Sequence, residues 1–276
     1  MSILIVGARG MLGSDLLTSL GDASRVIGTD IEDFDITDRK NTLKAVSELH
    51  PNWVINAAAY TQVDRCEEEK ELAFAVNGEG AANLALACKA VKARLIHVST
   101  DYVFDGTSGI PYREDDPVNP LSVYGQSKLQ GESAVRALLD DVTIVRTAGL
   151  YGKGGVNFVN TIRRLAEERD ELTVVDDQWV SPTYSVDLGR AIGLLMRASA
   201  QGIFHVVNSG ACTWCKFARR IVQLTGSRST VTPITSTQLK RPAARPAFSV
   251  LSTRKYAEVT GGEMRSWEDA LTDYLS

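Results

Sequence analysis

Ser2-Ile3-Leu4-Ile5-Val6-Gly7-Ala8-Arg9-Gly10-Met11-Leu12-Gly13 is the stretch whose reading decides the fold. Ile3–Val6 is a short apolar, β-branched run. Three glycines follow in a GxxGxxG spacing, and then Leu16, Leu17 and Leu20 recur at helical intervals. The reading is buried strand, glycine-rich turn, helix. Such a turn lets the backbone approach a pyrophosphate, while the new helix turns its free N–H groups and its positive end toward it. A glycine trio alone is also an ordinary tight turn. Its place between a strand and a helix is what points to a dinucleotide.

Arg25-Val26-Ile27-Gly28-Thr29-Asp30 reads as a second strand ending in an acid. An acid about 20 residues beyond the glycines is where a ribose 2′-hydroxyl is usually held, which favours NADH. Arg9 pulls the other way, since a guanidinium in the glycine loop suits the 2′-phosphate of NADPH. Each also reads more simply, Asp30 as a strand-end cap and Arg9 as a solvated loop charge. NADPH or NADH is therefore the expected cofactor. Asp35-Ile36 follows, a polar–apolar pair suited to bordering an adenine.

Further apolar strands are expected at 53–56, 94–98 and 142–146, and helices at 11–20, 38–49, about 71–92 and 123–139. Regular strand–helix alternation implies an α/β fold, a Rossmann-type doubly wound parallel sheet with helices on both faces. Residues 1–150 are expected to form the dinucleotide-binding core. Residues 151–276 are expected to form mainly a smaller substrate-binding region, with segments at about 172–200 returning to the core. Ligands bind at the carboxyl ends of such strands. There lie Asn56-Ala57-Ala58-Ala59-Tyr60-Thr61, whose small alanines leave room for a cofactor, and Ser99-Thr100-Asp101. Gly152-Lys153-Gly154-Gly155 marks a loop before a helix at 157–168. Lys240-Arg241-Pro242-Ala243-Ala244-Arg245-Pro246 is a basic, proline-rich loop. It is either a solvated connector or a clamp for an anionic substrate, since arginine forks suit phosphate oxygens.

Tyr124-Gly125-Gln126-Ser127-Lys128 carries the chemistry. On a helix, residues i and i+4 share a face. A free phenol titrates near 10, too high for easy proton exchange at neutrality. An adjacent ammonium favours the phenolate and is expected to pull that value down, making a tuned acid for carbonyl reduction.

Composition narrows the class. The chain has 276 residues, 44% of them hydrophobic, with a formal net charge of −4. That is enough for a full core, and it lacks the basic footprint of a nucleic-acid binder. No apolar run reaches the ~18 residues of a membrane span. The chain starts directly on a strand without a signal-peptide pattern, so the cytoplasm is the expected compartment. Cys212-Thr213-Trp214-Cys215 is a lone CxxC with only His205 nearby. It reads as small residues opening a helix rather than as a zinc site. No carboxylate cluster demands a metal.

These motifs together resemble the extended short-chain dehydrogenase/reductases, and within them the dTDP-4-dehydrorhamnose reductase family. The resemblance runs nearly end to end. It includes Asn56–Asp64, Ser99–Gly106, Tyr124–Glu132, Val145–Thr147, Asn157–Val159, Ser181–Thr183 and Arg245–Thr253. The glycine and Tyr-x-x-x-Lys patterns belong to the whole superfamily, whereas Ser99–Phe104 and the tail from Arg245 are more specific. The resemblance implies a catalytic trio of Thr100, Tyr124 and Lys128. It implies reduction of the C4 keto group of a dTDP-linked 4-keto-6-deoxy sugar, with Tyr124 as proton donor. Lys128 would hold the nicotinamide ribose and Thr100 the carbonyl oxygen. The candidate cofactor set is Gly7, Arg9, Gly10, Met11, Leu12, Asp30, Asp35, Ile36, Ala57, Ala58, Ala59, Tyr60, Ser99, Tyr124 and Lys128. Thr100, Asp101, Tyr124, Asn157 and Arg245 are the candidate substrate contacts, and a homodimer is a candidate assembly. Gly149 stands where the family usually carries a tryptophan, and Cys215 where an aromatic is usual; both bear on which sugar is taken. The alternatives are a reductase of another nucleotide-linked keto sugar, or a non-catalytic regulatory subunit of the same fold.

Overall fold

The computed structural model describes residues 1–21 and 25–276. In chain order the elements are β1 (Ser2–Val6), α1 (Met11–Leu20), β2 (Arg25–Thr29), α2 (Arg39–Leu49), β3 (Trp53–Asn56), α3 (Val63–Cys66), α4 (Lys70–Phe74) and α5 (Ala81–Val91). Next come β4 (Arg94–Thr100), α6 (Val123–Leu138), β5 (Val142–Thr147), β6 (Leu150–Tyr151), α7 (Phe158–Glu168), β7 (Glu171–Val175), β8 (Trp179–Val180), β9 (Thr183–Tyr184) and α8 (Ser185–Arg197). The chain ends with β10 (Gly202–His205), β11 (Cys212–Thr213), α9 (Trp214–Thr225), β12 (Thr230–Ile234), α10 (Ser236–Leu239), α11 (Arg254–Thr260) and α12 (Trp267–Leu275).

Six strands pair in the order β10-β5-β4-β3-β1-β2, every pair parallel. The four inner strands are nearly all buried. Apolar runs such as Trp53–Ile55 and Ile144–Val145 are what a strand covered on both faces needs. α1 and α8 seal one face over Ile3, Ile5, Leu16, Leu188 and Ile192. α2, α5 and α6 seal the other over Leu4, Val54, Leu84, Leu95 and Val135. The sheet is the doubly wound Rossmann type read from the alternation of elements. α8 and β10 come from beyond residue 150, and β10 is the sixth strand. A third apolar cluster, with Tyr151, Phe217, Ile221 and Trp267 at its heart, joins α7, α9 and α12. Cys212 and Cys215 are free thiols in this cluster, and burial pushes Cys212 up to about 12.

The helix expected over about 71–92 is two helices, α4 and α5, joined by a π-helical turn at Ala75–Gly80. The cause is Asn77. Its side chain accepts from the Tyr60 amide at 2.8 Å and donates to the Tyr60 carbonyl at 3.1 Å and to Ser127 Oγ at 2.9 Å.

The β1–α1 turn is set by close approach. Gly7 has φ +83°, and a Cβ on Gly13 would lie 2.1 Å from the Gly7 carbonyl oxygen and 2.6 Å from Ala8 Cα. The helix therefore rests directly on the turn. Among the described residues, no helix is long and apolar enough to cross a membrane. Gly13→Ala is expected to destabilise the protein by about 3 kcal/mol, which lowers the melting temperature by roughly 6–12 °C in thermal denaturation.

Candidate active site

A groove of about 540 Å³ opens at the carboxyl ends of the strands, within the range of small-molecule sites. Its floor is the glycine turn, with Gly10, Met11, Leu12 and Gly13. α1 starts at Gly10 with no side-chain cap, so its first N–H groups have no side-chain acceptor. Ala57 and Ala59 form one wall. Val98, Ser99 and Thr100 reach the groove from β4, Asp101 from the turn after it, and Tyr124 and Lys128 from α6.

Local packing puts Tyr124 there. The Ser122 hydroxyl caps α6 by accepting from the Gly125 amide at 3.2 Å. A Cβ on Gly125 would stand 2.3 Å from the Tyr102 carbonyl oxygen. The first turn of α6 thus lies against the turn that follows β4, and the Tyr124 ring meets Tyr102 edge-on at 5.7 Å. Thr100 Oγ1 donates to Asp101 Oδ1 at 3.0 Å and accepts from the Tyr102 amide at 3.2 Å.

The electrostatics depart from the expectation that Lys128 pulls the Tyr124 phenol down. Burial pushes the phenol up, and a Thr100 hydrogen bond opposes that rise. Lys128 Nζ donates instead to the Val98 carbonyl at 2.7 Å. Burial draws the ammonium down to about 8, against a pull upward from Glu132. Both groups line the same groove wall, Lys128 buried and Tyr124 partly buried, and desolvation disfavours the charged form of each. Asp101 is raised to about 6 by burial, with the nearby Ser249 and Thr100 hydroxyls opposing. Its Oδ2 is buried without a partner.

The other sequence candidates lie around this groove rather than in it. Gly7 is beneath the turn, its Cβ position closed off by Ala58 N at 2.6 Å. The Arg9 amide donates to Asp30 Oδ2 at 2.8 Å, and the Arg9 guanidinium pairs with Glu32 at 2.8 Å. Asp35 accepts from the Thr37 amide at 2.8 Å. Ile36 is buried in the core against α2 and α5. Tyr60 hydroxyl donates to Glu69. Asn157 caps α7 through the Asn160 amide at 3.0 Å and ties Gly152 O at 2.9 Å.

Arg245 sits at the mouth. It grips Asp64 with both Nη atoms at 2.8 Å, and Nη1 also donates to the Ala243 carbonyl at 2.7 Å. This pair holds the Asp64 carboxyl below its usual value. Arg241 approaches the same carboxylate at 3.5 Å. Arg241, Arg245, Thr61 and Val63 line a second hollow of about 350 Å³. Thr61 and Val63 also line the main groove.

The wall facing β4 contains residues that sequence reasoning missed: Thr147, Gln178, Val180, Trp214 and Pro246. Gly149 is in the left-handed region at φ +52°, and a Cβ there would meet Val180 Cγ2 at 3.1 Å and Trp214 Cη2 at 3.5 Å. Trp214, read from sequence only as part of a helix start, is thus the aromatic beside Gly149. Among the described residues, no cluster of three or more His, Cys, Asp or Glu is arranged to hold a metal.

A doubly wound parallel sheet, an uncapped glycine turn and a Tyr–Lys pair in one groove define the short-chain dehydrogenase/reductase class of Rossmann proteins. The family model described as the RmlD substrate binding domain matches residues 1–276, and the chain belongs to that family. It is 45% identical to the dTDP-4-dehydrorhamnose reductase of Streptomyces griseus, over 98% of this chain and 91% of that protein. It is 42% identical to the dTDP-4-keto-6-deoxy-D-glucose reductase of Streptomyces niveus, over 98% and 94%. The dTDP-4-dehydrorhamnose reductase of Bacillus anthracis, solved in complex with NADP, superposes with a TM-score of 0.96 at 39% identity, covering 99% of this chain and 98% of that one.

Asp64→Ala removes the acceptor that orders the 240–247 loop. Hydrogen exchange of amides in that loop is expected to accelerate by roughly tenfold, with α6 unchanged, when followed by mass spectrometry.

Proposed function

We propose that this protein is an NAD(P)H-dependent oxidoreductase that reduces the C4 keto group of dTDP-4-dehydro-L-rhamnose to dTDP-L-rhamnose, with Tyr124 as proton donor. The observation that carries the reading is that Thr100, Tyr124 and Lys128 line one groove above an uncapped glycine turn. The relatives named reductases of dTDP-linked sugars and the NADP-bound neighbour support it.

The residues fit a dinucleotide. The Gly10–Gly13 floor leaves the backbone open, and the α1 amides offer donors to a pyrophosphate. Asp30, across the Arg9 amide, is the candidate for the ribose hydroxyls, with Ala57, Ala58 and Ala59 beside it, Tyr60, Asp35 and Ile36 at the border, and Ser99 toward the nicotinamide end. When bound, the cofactor supplies the hydride for C4. Tyr124 gives its proton to the C4 oxygen as charge develops there. The Thr100 hydroxyl, turning its one proton from Asp101, donates to the same oxygen. The phenol carries its proton at neutral pH, and the Lys128 cation stabilises the phenolate formed as that proton leaves. Asp101 and Asn157 are assigned to the sugar side, and Arg245 to the nucleotide phosphates at the mouth. Residues 1–150 serve mainly the dinucleotide and 151–276 mainly the substrate.

A second reading within the class, a reductase of a different nucleotide-linked keto sugar, is favoured by one observation: Trp214 in place of a side chain at Gly149 shapes the substrate wall. Assaying a panel of keto sugars linked to dTDP and to other nucleotides by NADH and NADPH absorbance separates the two. A non-catalytic binding role predicts no turnover with any of them.

Tyr124→Phe is expected to lower kcat by roughly 10²–10⁴-fold while leaving NADPH binding intact by fluorescence titration. Turnover at the parent rate would sink the mechanism. Arg245→Ala is expected to raise KM for the nucleotide sugar about tenfold with a smaller change in kcat. A fall in kcat at constant KM would remove Arg245 from the substrate site.

A further inference from the structure

Behind Lys128 lies a charged pair that the reaction above does not use. Glu132 on α6 and Arg146 on β5 are each 2% exposed. Arg146 Nε donates to Glu132 Oε1 at 2.9 Å and Nη2 to Oε2 at 2.7 Å. Ser99 Oγ adds a third hydrogen bond to Oε1 at 2.5 Å. A buried pair of this kind is weak evidence for stability, because the cost of taking two charges out of water offsets their attraction. Its place in the register is more telling. Tyr124, Lys128 and Glu132 follow one another at single turns along one face of α6. Three consecutive residues of β4 meet them. Thr100 lines the groove with Tyr124, Val98 accepts from Lys128, and Ser99 donates to Glu132.

We propose that Glu132, fixed by Arg146 and Ser99, is a positioning residue that keeps Lys128 protonated within its dry pocket. This rests on the reading of Tyr124 and Lys128 as proton donor and charged partner. Without a carboxylate one turn behind it, a fully desolvated ammonium sheds its proton. The other titratable neighbours do not serve. His97, on β4, is driven well below its usual value by burial and by the Lys128 charge, so it is neutral. Asp101, in the turn after β4, bears on Tyr124 and is itself raised toward neutrality by burial. Arg146 reaches the pocket from β5, with its charge taken up by the Glu132 fork. Burial brings Lys128 down to about 8, and Glu132 is the group that opposes it. The sign follows: removing the Glu132 charge lowers the pH at which Lys128 loses its proton.

The test is the pH profile of kcat/KM for NADPH-dependent reduction of a dTDP-linked 4-keto-6-deoxy sugar. Glu132→Gln is expected to move the alkaline limb down by about one pH unit, with NADPH affinity at pH 6 near that of the parent. Because Glu132→Gln leaves Arg146 buried and unpaired, Glu132→Gln/Arg146→Met supplies a variant with both charges gone, and its limb is expected to move in the same direction. Recovery of the melting temperature in the double variant with the limb at the parent position would reduce the pair to a structural role and overturn the proposal. A limb at the parent position in a folded single variant does the same. Parent-like turnover by Lys128→Met is a separate result, which removes the Tyr124–Lys128 reading itself.

Discussion

The site depends on backbone meeting backbone. α1 lies on the β1–α1 turn with the Gly13 Cβ position 2.1 Å from a carbonyl oxygen. The Gly7 Cβ position is closed by the Ala57–Ala58 segment after β3 in the same way. No side chain fits at either point. The floor of the groove is consequently main chain, with donors and no bulk. Everything that faces this floor is placed relative to it: β4 by its ladder to β3, and α6 by its contact with the turn after β4.

A second constraint is dehydration. Lys128, Glu132, Arg146 and Asp101 are all nearly inaccessible to water. In such a wall the charge states depend on which groups are forced to share it. Desolvation shifts the Tyr124 phenol further toward its protonated form. The ammonium donates to the Val98 carbonyl, and Glu132, one turn away, opposes the downward pull of burial. A Tyr and a Lys at the same spacing on a wet surface would titrate near their ordinary values.

Much of this was legible in the sequence where the signal is local. Ile3–Gly13 shows strand, turn and helix within a dozen residues, and the Tyr124–Lys128 spacing shows a shared face. What escaped depends on distant partners. The π turn answers to Asn77 contacts with Tyr60 and Ser127, 17 and 50 residues away. Arg245, readable as a basic loop residue, is tied to Asp64 across 181 positions. The Lys128 partner is the Val98 carbonyl, a backbone atom that carries no residue identity. Glu132 was within reach, since it continues the 124–128 face by one more turn. Arg146, its counter-charge, is on another element and could be paired with it only in three dimensions. Trp214 became a groove residue through the bend at Gly149.

The placement of β10 carries a consequence for how the polypeptide comes together. β5 is complete by residue 147, yet its outer neighbour is made from residues 202–205. During synthesis β5 therefore waits as a bare, apolar sheet margin while more than fifty residues emerge. An unpaired margin of this kind invites strand addition from other chains. A fragment cut near residue 150 would keep that vulnerability permanently. The segments before and after residue 150 are thus interlaced in one sheet rather than strung in tandem.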